Sequence, residues 1–277
     1  MKKITLATGF VLGLFGATQA LAHDEEAEES PGWAGWKGSV TLGATSSTGN
    51  SENTTVTGGL RVSKTIGRWE HLVFGTVNFA DTTTVGPAFD PVSGMQSFDP
   101  TTGTAVVESD SVTTAERFHI GYQPKYFFIP QTTYVFGILD FEVDEPSNID
   151  SNTRQIVGVG HTFFDTGKSS FIGEAGIGNT LLEPVVGDDL DGAILFLGLH
   201  YLNDFTDALT FNADLRIDAG SENNYTELGL GLSFRASTRL SLKLAYFVRS
   251  NTDLDNPANP LSSDTDSLTT FNLVFDI

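Results

Sequence analysis

Residues 225–251 read YTELGLGLSFRASTRLSLKLAYFVRSN. In the first half, Leu228, Leu230, Leu232 and Phe234 alternate with Glu227, Gly229, Gly231, Ser233 and Arg235. After a break at Ser237–Thr238, Leu240, Leu242, Leu244, Tyr246 and Val248 alternate with Ser241, Lys243, Ala245, Phe247 and Arg249. Successive side chains of a strand point to opposite faces, so each half predicts a strand with one apolar face and one polar or small face. The stretch before it, Leu209 to Ile217, alternates in the same way.

Working outward, about twelve such segments cover 36–47, 54–66, 68–80, 113–127, 133–143, 152–164, 170–181, 192–203, 208–219, 225–236, 239–251 and 267–277. Segments 68–80 and 133–143 alternate less cleanly, and their faces are left unassigned. Lengths near ten suit tilted strands that cross a bilayer, whereas soluble strands average about five or six residues. No segment shows a helical period. The predicted fold is all-β, a single transmembrane antiparallel β-barrel of about twelve strands over residues 36–277.

The segments before it are of another kind. Lys2 and Lys3, an apolar run from Ile4 to Phe15, and Ala20-Leu-Ala22 read as a secretory signal peptide over 1–22. Residues 23–35 form an acidic tail, read as a solvated periplasmic spacer. The chain has no cysteine, which excludes disulfides, thiolate metal sites and cysteine nucleophiles. Its 15 Lys and Arg against 35 Asp and Glu give a net charge of −20, which argues against nucleic acid as a partner.

Connections alternate in length. Gly67, 128–132, 165–169, 204–207 and 237–238 are short, while 81–112, 144–151, 182–191 and 252–266 are long. Short periplasmic turns and longer outer loops mark an outer-membrane barrel, here with both termini periplasmic. The six outer connections hold 19 acids, Glu142 and Asp144 among them, and no Lys or Arg. These acids are read as a solvated surface, with divalent-cation bridging to lipopolysaccharide as the alternative. Outer-membrane lipids, lipopolysaccharide and the barrel assembly machinery are the expected partners. Trp36, Trp69, Tyr126, Phe127, Tyr134, Phe163, Phe164, Phe171, Tyr201, Phe234 and Phe275 gather at the short-turn ends, as an interfacial aromatic girdle would. The longest loop repeats itself in Phe89-Asp-Pro-Val-Ser-Gly94 and Phe98-Asp-Pro-Thr-Thr-Gly103, read as two consecutive turns; its acids are too widely spaced for a calcium loop.

The opening strands carry a signature. Trp36-Lys-Gly-Ser-Val-Thr-Leu-Gly43 followed by Ser47-Thr-Gly-Asn-Ser51 resembles the start of the YdiY-like family of salt-induced outer membrane proteins, a domain of unknown function. Arg68-Trp69, Arg117 to Gln123, Tyr134 to Gly137, Gly158-Val-Gly160, Glu174 to Gly178 and Leu242 to Arg249 continue the resemblance over roughly 36–277. The loop at 81–112 is long for that family, and the last residue, Ile277, is not aromatic. The resemblance implies an outer-membrane location and no particular activity.

A search for chemistry finds no HExxH, no phosphate-binding glycine loop and no metal-ligand spacing, so no cofactor, metal or catalytic residue is assigned. The base and nucleophile of a barrel hydrolase would share one strand face as His-x-Ser, and no histidine offers that pair. His119 and His200 are the inward histidines that a triad built from separate strands could use. Taking the apolar parity as lipid-facing, eight bases point inward: Lys37, Arg61, Arg117, Arg154, Arg216, Arg235, Lys243 and Arg249. Arg216 and Glu227 are expected to pair across adjacent strands. The reading is a non-enzymatic barrel, structural or a narrow channel for small anionic solutes, because lumenal Arg and Lys select anions. The alternative is an envelope hydrolase acting on phospholipid or lipid A. A soluble periplasmic barrel is a third reading.

Overall fold

The computed structural model describes residues 35–47, 51–90, 95–99, 101–102, 104–252, 254 and 265–277. The signal peptide, the acidic tail up to residue 34, residues 48–50 of the family signature and parts of the two Asp-Pro turns lie outside the described residues.

Every predicted segment is a strand. In order these are β1 (Trp36–Ser47), β2 (Ser51–Ile66), β3 (Trp69–Pro87), β4 (Val107–Ile129), β5 (Thr133–Asp144), β6 (Ile149–Asp165), β7 (Ser169–Pro184), β8 (Gly192–Thr206), β9 (Leu209–Gly220), β10 (Asn224–Arg235), β11 (Leu240–Asn251) and β12 (Thr265–Asp276). Each pairs antiparallel with its sequence neighbours. β1 also pairs with β12, from Ser39↔Asp276 to Gly43↔Asn272, and this closes the barrel. Closure matters physically. It leaves no sheet edge with free N–H and C=O groups, the condition for crossing hydrocarbon with strands.

The connections correct the sequence reading in part. One end carries residues 67–68, 130–132, 166–168, 207–208 and 236–239, and is called the turn end here. Gly67 at φ 64 makes the tightest of these turns possible. At the opposite, loop end, only 88–106, 185–191 and 252–264 are long. The predicted 144–151 loop shrinks to a single 3-10 turn, Glu145–Ser147, with Asn148 in the left-handed region at φ 61. The predicted 81–112 loop is strand at both ends, because β3 and β4 run past the belt together from Asp81↔Thr113 to Pro87↔Val107. Its Asp-Pro repeat adds a small sheet, with bridges Phe89↔Gln96 and Phe98↔Ala105 at equal spacing. Asp99 Oδ1 accepts the backbone N–H of Thr101 at 2.7 Å and of Thr102 at 3.1 Å, which holds its carboxyl below the usual carboxylate range.

The outer face is an apolar belt. Leu60, Phe118, Leu139, Val157, Ile177, Leu195, Leu232, Leu244 and Phe271 are all exposed on it. Toward the turn end it finishes in exposed Trp69, Phe163, Phe205, Phe234 and Phe275. This is the surface of a bilayer-spanning barrel with an aromatic girdle. Tyr134 and Phe127 depart from that expectation. Tyr134 is 1% exposed and faces the lumen, with Phe127 packed on it at a 4.9 Å ring separation.

One of the two strand faces left open by the alternation, that of β5, is now defined. β5 turns Tyr134, Phe136, Ile138, Asp140, Glu142 and Asp144 inward and Val135, Leu139 and Phe141 outward. The inward rings are accommodated by glycines on β6, where Tyr134↔Gly160 and Phe136↔Gly158 are cross-strand pairs. A Cβ on Gly160 would lie 2.2 Å from the Tyr134 ring. With Ile156, Ile194 and Phe196 these residues fill the lumen beside β5–β8 with an apolar core.

Candidate functional site

Twelve strands about 4.8 Å apart and tilted about 40° would make a circular ring about 24 Å across at the backbone. An extended arginine and glutamate together fall well short of that span. Yet Arg117 on β4 reaches Glu227 on β10 at 3.4 Å, and Arg249 on β11 reaches Asp144 on β5 at 3.1 Å. Both pairs join strands six positions apart in the twelve-strand ring. The cross-section is therefore oval at this level, and side chains bridge it.

These bridges belong to one network in the loop-end half of the lumen. Arg154 is at its centre and is 2% exposed. Its Nε donates to Asp140 at 2.6 Å and its Nη2 to Glu142 at 2.8 Å. Its guanidinium lies 5.1 Å from the Tyr225 ring centre. Arg117 Nε donates to Glu142 at 2.6 Å. Arg216 donates to Asp140 at 2.8 Å and to Asp218 at 2.9 Å. Tyr225 donates to Glu227 at 2.6 Å. Such a network is costly to bury unless nearly every member is satisfied, and here most members hold two or more partners. Five carboxylates (Asp140, Glu142, Asp144, Asp218, Glu227) meet four guanidiniums.

Two expectations change as a result. Asp144, read from sequence as an outer-loop acid, and Glu142, at a strand end that could be counted as strand or loop, are both inward and almost fully buried. Arg216 and Glu227 are directly opposite in register, but Arg216 binds Asp140 and Asp218 while Glu227 binds Arg117 and Tyr225. The oval lumen brings partners from the far wall within reach, and they displace the cross-strand pair.

Leu254, from the connection between β11 and β12, is buried against Ile149 and Leu182 of β6 and β7 and against Leu190. Ser147 donates to Asp266 at 3.3 Å, tying the β5–β6 turn to the start of β12. Below the network, Glu174 on β7 accepts from Tyr134 at 2.7 Å and pairs with Lys125 at 3.1 Å.

The eight predicted bases thus divide. Arg117, Arg154, Arg216 and Arg249 are neutralised within the network. Lys37, Arg61, Arg235 and Lys243 have no carboxylate within ion-pair distance among the described residues, and all four sit toward the turn end of β1, β2, β10 and β11. Arg235 donates only to the Asp207 carbonyl, at 3.3 Å. Arg61 and Lys243 lie within electrostatic reach of Asp214. This sector is lined by small and polar side chains, such as the Thr57–Asn272 hydrogen bond between β2 and β12.

The two inward histidines face carboxylates. His200 pairs through Nδ1 with Asp214 at 2.9 Å and through Nε2 with Glu174 at 3.6 Å, so carboxylates face both ring nitrogens. His119 Nε2 faces Asp140 at 3.8 Å. The hydrogen bond between His161 and a hydroxyl, that of Thr133 at 2.9 Å, lies on the lipid-facing parity of β5 and β6. No group of His, Asp and Glu among the described residues could hold a metal ion.

The sequence profile of a family of proteins of unknown function, DUF481, matches residues 40–277, which is the whole barrel from the fifth residue of β1. The chain belongs to this family. Its members carry no assigned activity, in keeping with the resemblance read from the β1–β2 signature. No curated protein matches the sequence. Among solved structures, the NanC porin aligns over 87% of this chain and 100% of its own, at 10% identity and a TM-score of 0.45. The KdgM porin in complex with disordered oligogalacturonate aligns over 87% and 99%, at 8% identity and 0.41. An outer membrane channel from Pseudomonas putida F1 aligns over 87% and 95%, at 8% identity and 0.44. These likenesses concern the barrel fold alone.

Proposed function

We propose that this family member is a non-enzymatic outer-membrane channel of narrow bore for small anionic solutes, with its turn end in the periplasm. The division of the inward bases carries this reading. The network of Arg117, Arg154, Arg216 and Arg249 with five carboxylates bridges the loop-end half and contributes little net field, because its charges nearly cancel. The unmatched bases Lys37, Arg61, Arg235 and Lys243 lie toward the turn end of the lumen, and unmatched Lys and Arg along a pore favour anions. The exposed acids of the outer connections are where divalent cations join the barrel to lipopolysaccharide.

Single-channel recording in a planar bilayer under a potassium chloride gradient tests this. The wild type is expected to pass small, infrequent currents with a reversal potential on the chloride side. The double variant Arg249→Ala with Asp144→Ala removes one bridge across the lumen without leaving an orphan charge, and is expected to conduct more with the same sign. Silence from both proteins, or potassium preference, would sink the channel. Purified protein incubated with phospholipid and lipid A is expected to leave both intact. Turnover that disappears in His200→Ala would establish the hydrolase instead.

A further inference from the structure

The lipid-facing side of the wall from β4 to β9 is dented. A groove of about 830 Å³ runs across it, rimmed by Tyr122, Leu139, Val157, Ile177 and Leu195. Its floor is low because Gly137 and Ala193 present almost no side chain there. On the lumen side of the same wall, Phe136 and Phe196, three strands apart, meet edge to face with centroids 5.8 Å apart.

The groove is apolar except at Gln155 and Asn179. These two stand directly opposite each other on β6 and β7, on the outward parity, and both are exposed. Neither side chain takes part in a hydrogen bond within the protein among the described residues. A side-chain amide offers two donors and two acceptor lone pairs, and hydrocarbon satisfies none of them. Groups that enter this layer with matching chemistry are the ester carbonyls and hydroxyls where acyl chains join a lipid headgroup.

We propose that the groove is a binding site for an acyl lipid of the bilayer. The Gln155 and Asn179 amides hydrogen-bond its ester region, and its chains lie against Leu139, Val157 and Ile177. This rests on the bilayer-spanning reading of the barrel. A second copy of the chain fits less well. A twofold contact would set one hollow against another and leave a void where packing should be.

The test uses the full mature chain reconstituted into vesicles of phosphatidylethanolamine and phosphatidylglycerol, then released in mild detergent for native mass spectrometry. The wild type is expected to retain one phospholipid. The double variant Gln155→Leu with Asn179→Leu keeps the apolar groove and removes only the amides. It is expected to lower retention about tenfold, the effect of two weak hydrogen bonds in a membrane setting. Gly137→Leu fills the floor and is expected to do the same; a Cβ at that position meets nothing nearer than 3.8 Å, so the backbone tolerates it. Heat-modifiable gel mobility of all three proteins reports barrel folding and membrane insertion separately from lipid binding. Equal lipid retention by three folded, inserted proteins would overturn the site. A wild-type dimer that Gly137→Leu converts to monomer would assign the groove to a second copy instead.

Discussion

Arg154 shows how much one residue can hold. Its guanidinium joins β6 to Asp140 and Glu142 on β5 and stacks toward Tyr225 on β10. Truncating it leaves two carboxylates buried at about 1% exposure with a guanidinium lost from each. Breaking a buried ion pair by removing one partner costs about 3–5 kcal/mol. Arg154→Ala is therefore expected to lower stability by that order, read as urea unfolding of the barrel in lipid vesicles. Adding Glu142→Gln to Arg154→Ala removes one orphan charge and is expected to recover about 1–3 kcal/mol. If the double variant is no more stable than the single, Arg154 holds the barrel by packing rather than by charge. Sequence parity placed Arg154 correctly on the inward-facing side of β6, but it could not supply the partners. Those sit on β5, where apolar side chains occupy both faces and alternation carries no sign.

At the scale of the element, β5 shows where period two stops being informative. A strand with polar or small side chains inside and lipid outside alternates cleanly, as β9, β10 and β11 do. A strand whose inner face packs on other side chains has no reason to be polar there. The neighbouring strand makes room for the inward rings: Gly158 and Gly160 stand opposite Phe136 and Tyr134. The space is tightly occupied, since a Cβ on Gly158 would lie 2.4 Å from the Ala175 carbonyl oxygen and 2.6 Å from the Phe136 ring. Gly160→Ala is expected to force the Tyr134 ring aside, weaken its hydrogen bond to Glu174 and cost about 1–3 kcal/mol by overpacking. Unchanged unfolding in urea would show that the ring moves freely. The connections follow the same logic. Alternation ends at the bilayer surface, so the outer halves of β3 and β4, paired in water, read as a loop from sequence.

For the whole molecule, charge is arranged by level rather than by sum. The net charge of −20 describes the outer connections and the acidic tail, while the lumen contains two different fields. In the loop-end half, five carboxylates face four guanidiniums and the field nearly cancels. Toward the turn end, Arg61 and Lys243 flank Asp214 with no ion pair of their own among the described residues. Any selectivity must then come from the turn-end bases, because fixed charges that cancel within a Debye length of about 8 Å steer no ion. Replacing Arg61→Glu together with Lys243→Glu reverses that sector while leaving the network of Arg154 untouched. The reversal potential in a potassium chloride gradient is expected to move from the chloride side to the potassium side, and raising the salt is expected to shrink the shift. Changing Arg117 and Glu227 together to alanine removes a balanced pair, so it is expected to raise conductance with little change in ion preference. If the two double variants exchange these effects, selectivity lies in the network and the turn-end bases are bystanders.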